Sequence, residues 1–90
     1  MNNVRRKALG EVRERAEGLM AEIEELKGEI GELMSEEEEY RDNMPENLQN
    51  SERHEKAETA CDALSSALDS LDEAASSVEA ACDSIDEASE

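Results

Sequence analysis

Apolar residues recur along this chain at alternating steps of three and four, in two long runs separated by a proline. Such heptad spacing keeps the apolar side chains on one stripe of a helix that supercoils with another helix. The spacing is interrupted at Glu37, where the supercoil is expected to loosen. The first run comprises Leu9, Val12, Ala16, Leu19, Ile23, Leu26, Ile30, Leu33, Tyr40 and Met44, and the second comprises Ala57, Cys61, Leu64, Leu68, Leu71, Ala75, Val78, Cys82 and Ile85. The pattern predicts two long helices packed along these runs.

Pro45 indicates where the chain reverses. Proline has no N–H and disfavours helical geometry in the residue before it, so the first helix is expected to stop there. Asn3 is a good N-cap type for the first helix, as are Asn50 and Ser51 for the second. We therefore expect one domain with a helix at about 3–42, a loop at about 43–50 and a helix at about 51–88. A loop of this length suits antiparallel neighbours.

Charge predicts the direction of the second helix. Residues 57–90 contain ten acidic side chains and no Lys or Arg, whereas the first helix begins with a basic group. Folding back places Ile85 near Leu9 and Val12, and it sets opposite charges beside each other, although each exposed pair contributes little. The basic group is Arg5, Arg6, Lys7, Arg13 and Arg15, and the acids expected beside it are Glu79, Asp83, Asp86 and Glu87. The predicted fold class is all-α, an antiparallel two-helix hairpin.

The hydrophobic content is too slight for a lone hairpin. Alanine accounts for 12 of the 33 hydrophobic residues, and there is no Phe or Trp. Two helices of this kind bury little surface, so a chain of this size often needs a partner. Small and flexible apolar residues beside each run form a second flank, which predicts a four-helix bundle homodimer or a higher oligomer. The expected oligomer interface comprises Met20, Met34, Ala60, Ala67, Ala74 and Ala81.

The net charge of −17 limits the partners that the chain can bind. It argues against direct contact with nucleic acid or an anionic membrane, and it favours basic proteins, including proteins that bind nucleic acid. The sequence has neither an 18-residue apolar run nor the apolar core of a signal peptide, so we expect a cytoplasmic location. The candidate partner-binding residues are Glu36, Glu38, Glu39, Glu46, Asp69, Asp72, Asp83 and Asp86.

Two cysteines and one histidine are the remaining candidates for chemistry. Cys61 and Cys82 are separated by three heptads, or about 31 Å along one helix, which excludes an intrachain disulfide and a zinc site shared with His54. We expect all three to be packing residues. One alternative is a disulfide between Cys61 and Cys82 of two copies, if two second helices pack antiparallel about Leu71. Tyr40 is expected to fill the loop end of the hairpin.

Sites for catalysis and for cofactors are not recognisable in the sequence. A nucleophile–base pair, a glycine-rich phosphate loop and an EF-hand loop are all missing from it. The acidic run 36–39 is expected on a helix, where specific calcium binding is improbable. We therefore predict that the chain is not an enzyme and has no cofactor, metal or catalytic residue.

The middle of the chain resembles small, largely uncharacterised helical proteins of phages, prophages and other mobile elements of Gram-positive bacteria. The match is centred on residues 36–58 and is carried by Glu36-Glu37-Glu38-Glu39-Tyr40, Asp42-Asn43-Met44-Pro45-Glu46-Asn47-Leu48-Gln49, Ser51-Glu52-Arg53 and Lys56-Ala57-Glu58. Outside this segment only the heptad style is shared. The resemblance implies a mobile-element origin and no defined activity. By analogy with phage proteins of this size and charge, it suggests a factor that acts against host defence.

Three functions fit these features. The first is an acidic module that inhibits a host protein by charge-complementary binding or by mimicking nucleic acid. The second is a structural coiled-coil or scaffolding oligomer, in which acidity serves only solubility. The third and weakest is an oligomer that sequesters a small signalling nucleotide, for which only residues 5–15 offer positive charge.

Overall fold

A computed structural model describes all residues 1–90 and contains only helices. Helix α1 spans Asn3–Asp42, a 3-10 turn spans Glu46–Leu48, and helix α2 spans Glu52–Ala88. The two long helices pack against each other as a hairpin, which confirms the predicted fold class. No helix is both long and apolar enough to cross a membrane.

Helix α1 begins one residue earlier than its expected cap implies. The side chain of Asn2, not Asn3, accepts a hydrogen bond from the backbone N–H of Arg5 at 2.8 Å. The backbone carbonyl of Asn2 also accepts the N–H of Arg6 at 3.1 Å. The Asn2 side chain therefore satisfies one free N–H group at the start of the helix, that of Arg5, and Asn3 is the first helical residue.

The connection between the helices has the three expected parts: the end of α1, a turn at Pro45, and the N-cap of α2. Helix α1 ends at Asp42, and Pro45 adopts an extended conformation with φ −57° and ψ 152°. The N–H of Leu48 returns to the carbonyl of Pro45 at 2.9 Å, which closes the 3-10 turn. Ser51 then caps α2, because its Oγ accepts the backbone N–H of His54 at 3.3 Å. Of the two predicted caps, Ser51 is the one that is used.

The contacts divide the chain into two compact units, the first formed by residues 1–25 with 71–90. In this unit the guanidinium of Arg13 pairs with both carboxylate oxygens of Asp86, at 2.6 Å and 3.1 Å. The guanidinium of Arg6 donates to the backbone carbonyls of Ser89 and Glu90, at 3.1 Å and 3.2 Å. The start of α1 therefore lies beside the end of α2, which confirms the antiparallel direction.

The second unit consists of residues 26–70. Its buried residues are Met44, Ala57 and Cys61, and Ala57 is the most enclosed, with only 1% of its surface exposed. Met44, rather than Tyr40, fills the loop end of the hairpin, since about half of the Tyr40 surface is exposed. The prediction for Tyr40 was wrong because this residue belongs to a row of α1 that keeps about half of its surface exposed.

That row is the main difference between the expected and the observed packing of α1. One predicted row is confirmed, since Leu9, Ala16, Ile23, Ile30 and Met44 are buried or half-buried. The other predicted row is only partly covered within the chain: its members retain between 46% and 57% of their exposure. The exposed members are Val12, Leu19, Leu26, Leu33 and Tyr40. We call this row the leucine stripe.

A different row of α1 is half-buried in place of the leucine stripe. It comprises Arg13, Met20, Lys27, Met34 and Arg41, spaced by seven. The aliphatic stems of Arg and Lys cover apolar surface while their charged ends reach solvent, and Met adapts to irregular gaps. Because this row contains no acid, it suits a helix that carries nine acids and no basic residue over residues 57–88. Met20 and Met34 are thus half-buried within the chain itself.

Candidate interaction surface

The acidic residues in 57–90 form an exposed polar surface that is free of basic residues. All ten acidic residues between Ala57 and Glu90 are exposed. Among the predicted partner-binding residues, Asp69 and Asp83 are exposed and make no ion pair within the chain. Asp86 differs, because Arg13 holds its carboxylate, and this contact raises the pKa of the Arg13 guanidinium. Asp86 therefore has a structural use that the sequence prediction did not assign to it.

The remaining predicted acids lie in the unit formed by residues 26–70. Glu36, Glu38 and Glu39 occupy the last turns of α1, and Glu46 opens the 3-10 turn. Glu38 is half-buried, whereas the other three are exposed. Three carboxylates within four positions repel one another at this end of α1, so a cationic surface would find a favourable field here.

Arg41 provides positive charge within this acidic segment. Its Nε lies 3.0 Å from a carboxylate oxygen of Asp42, and this hydrogen bond, with further attraction from Asp42 and Glu38, raises the pKa of the Arg41 guanidinium. The local charge of the segment is therefore reduced but not cancelled, because Arg41 is the one basic residue among six acids in residues 36–46.

The two thiols lie in the packed face of α2. Cys61 and Cys82 are free and buried, with 6% and 4% of their surfaces exposed. Burial raises the pKa of the Cys61 thiol, an effect that the nearby Arg41 opposes. A buried neutral thiol is a poor nucleophile, so Cys61 has the character of a small packing residue. The disulfide between copies stays a prediction, and it would require both thiols to leave these positions.

His54 lies in the first turn of α2 and is half-buried. Its backbone N–H is used by the Ser51 cap, and its Nδ1 is 3.9 Å from a carboxylate oxygen of Glu58. That distance is too long for a hydrogen bond. His54 is therefore placed for helix capping and packing, as the sequence suggested.

The chain contains no group of three or more His, Cys, Asp or Glu side chains arranged to hold a metal ion. A depression of about 620 Å³ is open to solvent and is lined by residues of α1 alone. Val12 and Leu19 line it together with Arg15, Gly18 and Glu22. The depression is therefore a groove beside the leucine stripe, not an enclosed substrate cavity.

The leucine stripe is the surface feature that the predicted sites missed. The heptad spacing predicts that its residues contact α2, so the spacing does not predict an outer apolar surface here. The signal that separates the two rows is charge: the row that faces α2 contains three basic residues and no acid.

No protein-family model matches the chain, and no curated protein or solved structure is similar to it.

Proposed function

We propose that the chain is an acidic protein-binding module that recognises a basic surface on another protein. The observation that carries this proposal is the exposure of all ten acidic residues in 57–90, nine of which lie on α2, with no basic residue in that segment. Basic residues on α1 face this helix at only a few positions, such as Arg13 at Asp86. Most of the negative charge of α2 is thus available to a second protein.

Because α2 is a rigid helix, its carboxylates can recognise a specific basic surface and not merely attract positive charge. Carboxylates on one helix are held at fixed spacings, so a matching set of Lys and Arg residues can engage several of them at once. The charge also accelerates encounter with a basic partner, and this acceleration weakens as salt rises. The proposed complex therefore forms fast and is sensitive to ionic strength.

We further propose that the partner is a host protein whose basic surface serves to bind nucleic acid, and that occupation of this surface inhibits it. The resemblance of residues 36–58 to proteins of mobile elements supports a host target. The high negative charge supports competition with nucleic acid for a basic groove. Inhibition in this form requires no catalytic residue on the chain.

The test compares two variants that lose the same amount of charge. Asp69→Asn with Asp83→Asn removes two exposed carboxylates of α2, and Glu14→Gln with Glu25→Gln removes two exposed carboxylates of α1. Tagged chains are used to capture proteins from host lysate, and the affinity for each captured protein is then measured with purified material. We expect the α2 variant to bind its partner roughly tenfold more weakly or worse, and the α1 variant to bind almost normally.

The dependence of binding on ionic strength is a second test of the same complex. Binding of the unaltered chain should weaken strongly between about 0.1 M and about 1 M salt, where the screening length falls from about 10 Å to about 3 Å. A partner that is held equally well at both salt concentrations, or lost equally in both variants, would rule out recognition by the acidic face of α2.

A structural or scaffolding role is the second candidate, and the leucine stripe favours it. Five large apolar or aromatic side chains at heptad spacing are a surface for assembly. In a purely structural role, the Asp69 and Asp83 substitutions leave assembly and partner binding unchanged. That outcome separates the second candidate from the first.

A further inference from the structure

The leucine stripe is an apolar surface that the chain covers only in part. Val12, Leu19, Leu26, Leu33 and Tyr40 recur every seven residues on the uninterrupted helix α1. Each retains about half of its exposure. Exposed apolar residues that occur singly need no explanation, but a heptad row of five is the pattern by which helices associate.

The total exposed area indicates how much surface remains to be covered. The chain exposes 6644 Å² at a mass of 9.9 kDa. A folded monomer of this mass exposes about 5,200 Å² on average, which leaves an excess of roughly 1,400 Å². A stable dimer of standard size buries about 600–1,000 Å² on each partner. One further chain of similar size therefore covers a large part of this excess.

A symmetric arrangement makes the leucine stripe its own complement. If two α1 helices pack antiparallel with Leu26 opposite Leu26, then Leu19 lies opposite Leu33, and Val12 lies opposite Tyr40. All five positions are matched in this register, and any shift by a heptad leaves some of them uncovered. The resulting interface uses the same surface on both copies, as a two-fold dimer requires.

Charge along α1 favours the antiparallel direction over the parallel one. Residues 3–15 contain five basic and two acidic side chains, whereas residues 36–46 contain six acidic and one basic. Antiparallel packing sets the basic end of one copy against the acidic end of the other, and it brings Arg15 near Glu36. Parallel packing would place Glu36 beside Glu36 and Arg15 beside Arg15, which is unfavourable.

We propose that the leucine stripe is the homodimer interface of this chain, in which a second copy packs antiparallel with Leu26 on the two-fold axis. The apolar row supplies the affinity, and the uneven charge of α1 selects the direction. The acidic end of α1, including Glu36 and Glu39, is then used partly by the chain itself. This proposal does not depend on the binding of a basic partner by α2.

Single cysteine substitutions test the register. Leu26→Cys is expected to form a disulfide-linked dimer under mild oxidation, because residue 26 faces itself across the axis. Leu19→Cys and Leu33→Cys should each stay monomeric alone and cross-link when mixed, since two copies of residue 19 are about 21 Å apart in this arrangement. The unaltered chain is the control for Cys61 and Cys82, which are buried.

Each other pattern of cross-linking contradicts the proposal. Self-linking of Leu19→Cys and of Leu33→Cys as readily as Leu26→Cys would indicate a parallel dimer. Linking in the unaltered chain would indicate an interface through α2. A failure of every variant to link, together with a monomer mass by sedimentation at all concentrations, would overturn self-association through the leucine stripe.

A charge placed in the leucine stripe tests the energetics. Leu26→Glu should weaken dimerisation by at least about 30-fold, because it buries an unpaired carboxylate at the centre of the interface. Ser66→Glu adds the same charge at an exposed position of α2 and should leave the dimer intact. Circular dichroism checks that both variants stay helical. Equal dimer affinity in the two variants would count against the proposal.

Salt separates this proposal from the proposed function. Raising the salt concentration should strengthen the dimer, because two chains of charge −17 repel each other and salt screens that repulsion. The same change should weaken binding of a basic partner. Dimerisation that weakens in salt would contradict an apolar interface, whatever the partner experiments show.

Discussion

Ala57 offers the sharpest test of how tightly the hairpin closes near its loop. This residue is the most enclosed in the chain, with 1% of its surface exposed, and it lies in the unit that also buries Met44 and Cys61. Ala57→Leu adds three carbon atoms where no exposed surface is left to receive them. The substitution should therefore force the packed side chains, or α2 itself, to move.

The expected cost follows from similar overpacking substitutions. Extra carbon atoms in a packed site destabilise by about 1–3 kcal/mol. A domain of this size loses about 4–8 °C in melting temperature for each kcal/mol, so the variant should melt roughly 5–20 °C lower. Thermal and urea denaturation followed by circular dichroism measure both quantities.

Ala63→Leu is the matched control, because Ala63 is an exposed residue of the same helix. Alanine and leucine have similar helix propensities, so this change should alter the unfolding free energy by less than about 0.5 kcal/mol. Both variants should be compared at one protein concentration, since association affects the melting temperature. If Ala57→Leu is as stable as Ala63→Leu, the close packing described at Ala57 is incorrect.

Three further substitutions probe the cap, the thiol and a glycine. Ser51→Ala should lower the unfolding free energy by about 1 kcal/mol in urea, whereas Ser66→Ala at an exposed position within α2 should not; equal effects would argue against capping by Ser51. Burial raises the pKa of Cys61 above its ordinary 9.0, so the folded chain retains this proton longer than the unfolded chain. The associated stability is present below about pH 9 and is lost as the pH rises further; denaturation at about pH 7 and about pH 10 should show a smaller loss in Cys61→Ala, and an unchanged loss would contradict this account. Gly28→Ala should raise the unfolding free energy by up to about 1 kcal/mol, because an added Cβ meets no atom within 4 Å; a lower melting temperature would show that something packs there.

The helices could be predicted from the sequence because several local signals agree. Heptad spacing sets the helical period, Pro45 sets the end of α1, and Ser51 sets the start of α2. The N-terminal cap was misplaced by one residue because Asn2 and Asn3 are equally good caps, and only the hydrogen bond to Arg5 distinguishes them. The antiparallel direction of the hairpin could be predicted from charge, because the basic start of α1 attracts the acidic end of α2. The heptad spacing alone fits either direction.

The face that α1 turns towards α2 was harder to predict. Counting apolar residues favours Leu19 and Leu26 over Met20 and Lys27, yet the second pair is the more buried. The apolar count ignores the long stems of basic residues, and it ignores the attraction between a basic row and an acidic helix. The row with Arg13 and Lys27 is therefore the more buried one, and the leucines keep about half of their surface exposed.

The exposure of the predicted partner-binding acids could be predicted from the sequence, but their contacts within the chain could not. Exposure of Asp69 and Asp83 follows from the helical period, because they lie away from the apolar run. The engagement of Asp86 by Arg13 depends on the register between the two helices, which spacing alone does not determine. Partner identity depends on a second protein, so no pattern in this sequence specifies it.

The hydrogen bonds from Arg6 to the carbonyls of Ser89 and Glu90 have a practical consequence for protein engineering. They hold the two ends of the chain next to each other, so domains fused to both ends would emerge side by side. A short flexible linker could join these ends, and new ends could be opened at Asn47, between the two long helices. Such a circular permutant would keep α1 and α2 whole while reversing their order, as closely spaced ends generally permit.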